Sequence, residues 1–134
     1  MKKTILTIII GAILAVSPLV GSIDASAKSN RHNITLKSNG YKILRNQTLT
    51  CGNAERYTFK APVSGTYRFR SHSDIDTVGQ LDTNDEFITD DDGYKNNDFE
   101  IIADLKKGET YEISVFWYDE NVEGKFDLSI KCID

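Results

Sequence analysis

The chain of 134 residues contains two histidines, two cysteines, two prolines, one methionine and one tryptophan. Each scarcity removes a class of function. His32 and His72 are too few for the imidazole-rich ligand sets of zinc centres, and neither cysteine has a Cys-x-x-Cys companion. A Ser-His-Asp arrangement would have to be built on His72, no Gly-x-Ser-x-Gly elbow occurs, and Ser64 precedes Gly65 in plain turn chemistry. Carboxylate pairs for glycoside cleavage can be drawn from any acidic cluster and discriminate nothing. No catalytic residues are expected, and the chain does not read as an enzyme. The 16 Lys and Arg face 20 Asp and Glu, a net charge of −4. Phosphate-backbone binding needs clustered cations, so nucleic acid is excluded as a partner.

Only one long apolar run is present, over residues 5–16. It follows Lys2 and Lys3 and precedes Ala25-Ser26-Ala27. A short positive region, an apolar stretch too short to span a bilayer and an A-x-A site together predict a secretory signal peptide over residues 1–27. No later segment is apolar enough for a membrane span. The expected product is secreted and extracellular, with residues 28–38 as a flexible leader and 39–134 as one domain with a modest core. In an oxidising compartment, Cys51 and Cys132 are expected to form a disulfide; two buried free thiols are the alternative.

From Asn33 onward the pattern is strand, turn, strand, with no sustained helical period. Tyr57 and Phe59 alternate with Arg56, Thr58 and Lys60, and Tyr67 and Phe69 alternate with Arg68 and Arg70. The intervening Pro62 and Gly65 suit a turn, which predicts a hairpin with an aromatic inner face and a basic outer one. Further apolar stripes run through Phe99, Ile101, Ala103 and Leu105, through Tyr111, Ile113, Val115 and Trp117, and through Phe126, Leu128 and Ile130. Short alternating strands separated by turns predict an all-β, antiparallel sandwich of about eight strands.

Residues 74–100 hold ten carboxylates against the single Lys95, half of all the acids in the chain. If the segments flanking residues 81–87 pair as a hairpin, Asp74 and Asp76 approach Asp90, Asp91 and Asp92, and Asp98 follows from the next strand. Crowded carboxylates in turns are hard oxygen ligands of the kind Ca²⁺ takes. The same charge would also serve as a solvated edge that resists aggregation. The EF-hand pattern fails, because Gly93 is fourth in a loop begun at Asp90 and no suitable Glu is twelfth. Asp82, Asn84 and Asp85 read as an ordinary turn.

The order Gly65-Thr66-Tyr67 with Phe69, Asp76-Thr77 with Leu81, Asp91-Asp92-Gly93, and Asp98-Phe99 with Ile101 resembles the bacterial pre-peptidase C-terminal (PPC) domain. Leu105 with Gly108, Tyr111, Ile113 and Val115, then Gly124 with Phe126, Leu128 and Ile130, complete the likeness over about residues 45–132. The resemblance implies a jelly-roll-like, secreted, non-catalytic β-sandwich. It is similar in fold to the collagen-binding modules of clostridial collagenases, which bind Ca²⁺ and dock collagen on surface tyrosines. No peptidase domain accompanies it in this sequence, so a partner in trans, a surface or a structural purpose is expected.

Binding is the remaining class. The parity that buries Tyr111, Ile113, Val115 and Trp117 turns Phe116 and Tyr118 outward, as contact surface or beneath a covering loop. Arg68 and Arg70 either flank such a patch or keep an edge soluble. The resulting expectation is a calcium-stabilised module that recognises an extracellular protein or a cell-surface polymer. The alternative is a structural or regulatory partner, an inhibitor or folding aid, of a secreted protease.

Overall fold

A computed structural model of the chain describes residues 30–94, 97–119 and 121–134. The signal peptide expected over residues 1–27 lies outside them. No helix among the described residues is long and apolar enough to cross a membrane.

Nine strands form two sheets: β1 (Asn30–Asn33), β2 (Tyr41–Leu49), β3 (Glu55–Lys60), β4 (Gly65–His72), β5 (Thr77–Asp82), β6 (Phe87–Asp90), β7 (Glu100–Leu105), β8 (Thr110–Trp117) and β9 (Gly124–Cys132). One sheet runs β1-β3-β8-β5-β6 and the other β2-β9-β4-β7, all neighbours antiparallel except β1 with β3. The architecture is an all-β sandwich. Alternation explains it locally: Tyr57, Phe59, Ile113 and Val115 of the first sheet and Tyr67, Phe69, Leu128 and Ile130 of the second are buried between the layers. Each such side chain, fully removed from water, contributes roughly 1.5–3 kcal/mol. Phe99 needs more room than the sheets leave, and Gly79 provides it. A Cβ at Gly79 would lie 2.5 Å from the Phe99 ring.

Three expectations are corrected. The segments on either side of Pro62 do not form a hairpin: β3 belongs to one sheet and β4 to the other, and the chain between them crosses the sandwich. Phe59 and Phe69 meet across the core, with ring centroids 5.9 Å apart. Strand alternation identifies the buried face but not the hydrogen-bonded neighbour, so an arch and a hairpin look alike in sequence.

The flexible leader of residues 28–38 is ordered over most of its length. Asn30 to Asn33 pair in parallel with Glu55 to Thr58, and Leu36 is buried. Polar contacts hold β1. His32 Nε2 and Asn30 Nδ2 both reach the buried Glu55 carboxylate at 2.6 Å, and the His32 ring stacks on Tyr57.

The Cys51–Cys132 disulfide is not present, and both cysteines are free. Cys132 lies beside Gly40 at the start of β2, its N–H donating to the Gly40 carbonyl at 3.1 Å. Cys51 follows Leu49 at the other end of the same strand, where Leu49 pairs with Gly124. Along a nine-residue strand the two are separated by about 25–30 Å, far beyond disulfide reach.

Candidate metal centre

The acidic stretch divides at the β5–β6 hairpin. Antiparallel pairing of Gly79 with Asp90 brings the end of β6 back beside the start of β5. The segment before Thr77 and the loop after Asp90 therefore meet at one end of the sandwich.

Asp90 organises the loop. It is 4% exposed, and its Oδ2 accepts the N–H groups of Gly93 at 2.7 Å and Glu100 at 2.9 Å. This turns the chain back on itself, and Gly93 is required for the turn, since a Cβ there would collide with Asp90 Oδ2. The Tyr94 N–H closes the loop on the Asp98 carbonyl at 2.9 Å.

Asp98 is also buried. Its Oδ1 accepts the Ser73 N–H at 3.1 Å and the Ser71 hydroxyl at 3.2 Å. Ser71 Oγ in turn accepts the Phe99 N–H at 3.0 Å and lies 2.6 Å from the Thr77 hydroxyl. Protons distribute without conflict if Thr77 donates to Ser71 and Ser71 to Asp98. Burial pushes Asp98 up to about 6, against the opposing pull of the Ser71 hydrogen bond, His72 and the Ser73 N–H.

Asp76 completes the group. Burial first, then the charges of Asp91, Asp92 and Asp98, push its carboxyl up to about 6. Asp90, Asp91 and Asp92 each present an oxygen within 4.8 Å of the others. Two carboxylate oxygens, Asp76 Oδ1 and Asp90 Oδ1, are shut away from solvent with no hydrogen-bond donor among the described residues. Orphaned buried acceptors are rare in native proteins because each forgoes its hydration without replacement. Chemically Asp90, Asp91 and Asp92 form an all-oxygen, anionic cluster of a kind that can hold a hard cation, and Asp76 is near enough to feel their charge.

Of the six acids singled out in the sequence, the fold gathers Asp76, Asp90, Asp91, Asp92 and Asp98 from two chain segments. Asp74 is exposed, and its charge acts on Asp98. Ser71, Ser73 and Thr77 were not anticipated as parts of the site. A signal existed at Ser71, which occupies the inward parity of β4 after Tyr67 and Phe69 and so puts a hydroxyl on an apolar stripe.

The aromatic and basic residues do not form one patch. Phe116 lies on the outer face of one sheet, half-buried and packed against the core, while Tyr118 just beyond β8 is 61% exposed. Arg68 and Arg70 lie on the outer face of the other sheet. Arg70 is engaged there, bonding Glu100 at 2.7 Å and stacking over Tyr94 at 4.0 Å.

No family model and no curated protein matches this sequence. Solved structures do match. The pre-peptidase C-terminal domain of a Bacillus anthracis collagenase superposes with a TM-score of 0.58 at 20% identity, over 77% of this chain and 96% of that one. PliG from Aeromonas hydrophila, a periplasmic inhibitor of g-type lysozyme, gives 0.57 at 9% identity over 78% and 99%. A mutant of the Escherichia coli PliG gives 0.55 at 12% identity over 78% and 99%. The chain thus has the PPC sandwich fold to which its motifs pointed, a fold also found in those inhibitors.

Proposed function

We propose that this chain is an exported, non-catalytic β-sandwich module, stabilised by Ca²⁺ at the acidic end, that binds a protein or a cell-surface polymer. The observation that carries the metal assignment is the pair of orphaned buried oxygens on Asp76 and Asp90, the one coupled by charge to the acidic cluster and the other part of it. Several carboxylates withdrawn from water repel one another, and the cost is met by protons or by a cation. Ca²⁺ takes six to eight oxygens in irregular geometry, which suits ligands drawn from two loops, and no thiol or imidazole is needed. Asp76, Asp90, Asp91 and Asp92 would hold the ion. Asp98, bonded to Ser71 and Ser73, would hold the loop. Tyr118, exposed at the end of β8, is offered as contact surface, with Phe116 anchoring the strand beneath it. A fold shared with a collagenase module and lysozyme inhibitors supports docking on a protein rather than turnover.

Thermal unfolding of the purified protein in excess EDTA and then in millimolar Ca²⁺ tests the metal assignment. A ligand of the folded state at 100 times its dissociation constant adds about 2.7 kcal/mol, a rise of several degrees for a domain of this size. We expect that rise, and its loss in Asp76→Asn/Asp92→Asn. An unchanged Tm in Ca²⁺ would reduce the cluster to carboxylates neutralised by protons.

A further inference from the structure

The edge of the second sheet opposite β2 is closed at both ends and open in the middle. The Ser71 N–H bonds the Phe99 carbonyl directly opposite it, which sets the phase of the β4–β7 ladder. Ile101, Ala103 and Leu105 therefore direct their backbone groups to β4, and Glu100, Ile102 and Asp104 direct theirs away from it. The outward N–H of Glu100 is taken by Asp90 Oδ2, and that of Lys106, one step past the strand, by the Tyr111 hydroxyl at 2.8 Å. Between these caps the N–H groups of Ile102 and Asp104 meet no acceptor among the described residues. Open strand edges of this kind are templates for another strand, and proteins that do not use them usually cover or charge them. Here side chains cover the ends alone, and Ile102 remains 51% exposed.

Beside the open segment lies a cleft of about 480 Å³ between the margins of the two sheets, with Ile88, Ala103 and Tyr111 among its walls. Its rim carries Asp85, Glu86, Asp104 and Glu109 against a single cation, Lys106. None of the four acids forms a salt bridge among the described residues; Asp104 accepts the Thr66 hydroxyl and Glu109 the Tyr111 hydroxyl. Unused backbone donors beside uncompensated carboxylates define the chemistry of the occupant.

We propose that β7 is a strand-addition site for an extended, cationic segment of a partner protein, pairing with the backbone of Ile102 and Asp104. Alternate side chains of an added strand point to one face, so lysine or arginine at every second position reaches the acidic rim. The site is separate from the acidic end, and the proposal rests on the binding-module reading without requiring the metal.

The probe is a short peptide alternating lysine and threonine, its binding to the purified protein followed by fluorescence anisotropy in EDTA and again in Ca²⁺. We expect saturable binding that weakens with salt, no binding of the glutamate-threonine counterpart, and a loss of roughly tenfold or more when alternate peptide amides are N-methylated. Ile102→Pro removes an outward N–H and leaves the β4 ladder intact, so it should produce the same loss. Where that variant fails to fold, the methylated peptide on the unaltered protein decides. Equal binding of methylated and unmethylated peptides would overturn strand addition in favour of charge alone. Absence of any binding would overturn the site, and a dimer abolished by Ile102→Pro would make a second copy of this chain the occupant in place of a cationic partner. Binding that persists in EDTA, alongside a Tm that Ca²⁺ does not move, would separate failure of the metal assignment from failure of this one.

Discussion

Two acidic connections flank β6, and the fold treats them in opposite ways. The turn between β5 and β6 satisfies most of its polar groups locally: Asp82 Oδ1 accepts the Asn84 N–H at 2.9 Å, and Thr83 bonds the Glu86 backbone, while the Asn84 side-chain amide reaches out to the Thr110 carbonyl. Its residues 84–87 are exposed, and Asn84 takes the left-handed conformation that asparagine tolerates. Asp90 and Asp98, at the two ends of the following loop, are buried against the ends of β4 and β5, while Asp92 between them stays exposed. Asp90 Oδ1, like Asp76 Oδ1 before β5, finds no donor among the described residues. The surrounding strands dehydrate some acidic residues and leave others in water.

Asp90→Ala should break the comparison most severely. It strands the N–H groups of Gly93 and Glu100 and should cost about 2–4 kcal/mol by denaturant unfolding in EDTA. A cost matching that of an exposed acid would show that the burial has no energetic consequence.

The response to pH sharpens the same contrast. Asp76 and Asp98 have folded values near 6, above the ordinary carboxylate value of 3.8, so the folded state binds more protons than the unfolded one between these limits. Without metal, their contribution to stability is complete below about pH 4 and declines as the pH rises through about 6. Unfolding in EDTA at pH 5 and pH 7.5 should therefore favour the lower pH for these two groups. The difference should shrink in Asp76→Asn/Asp98→Asn, and an unchanged profile would contradict it.

The smallest effect belongs to the exposed turn. Asp85→Ala should change stability by no more than about 0.5 kcal/mol and leave the Ca²⁺ response untouched. A larger loss of that response would move the site to the hairpin.

Part of this contrast was legible in the sequence. The Asp-x-Asn spacing at Asp82 and Asn84 marks a turn because the interaction is local, spanning two residues. The burial of Asp98 depends on Ser71 and Ser73, which bond it from β4 and the turn after it, with Thr77 behind Ser71, and that of Asp90 on the Glu100 N–H ten residues further on. Only the position of Ser71 on an apolar stripe hinted at it. Phe116 shows the same limit, since parity turned it outward but could not reveal that it packs against the core.

By itself the sequence determined most of the strands, their inward faces and the concentration of acid, because a period of two and the polarity of neighbours are properties of short segments. The tertiary structure decided which strands pair, and so made β3 and β4 an arch, tied residues 30–33 into a sheet and held Cys51 a strand's length from Cys132. It also decided which carboxylates lose their water. Pairing and burial arise between residues distant in the chain, where the alternation that marks a strand says nothing about its neighbour.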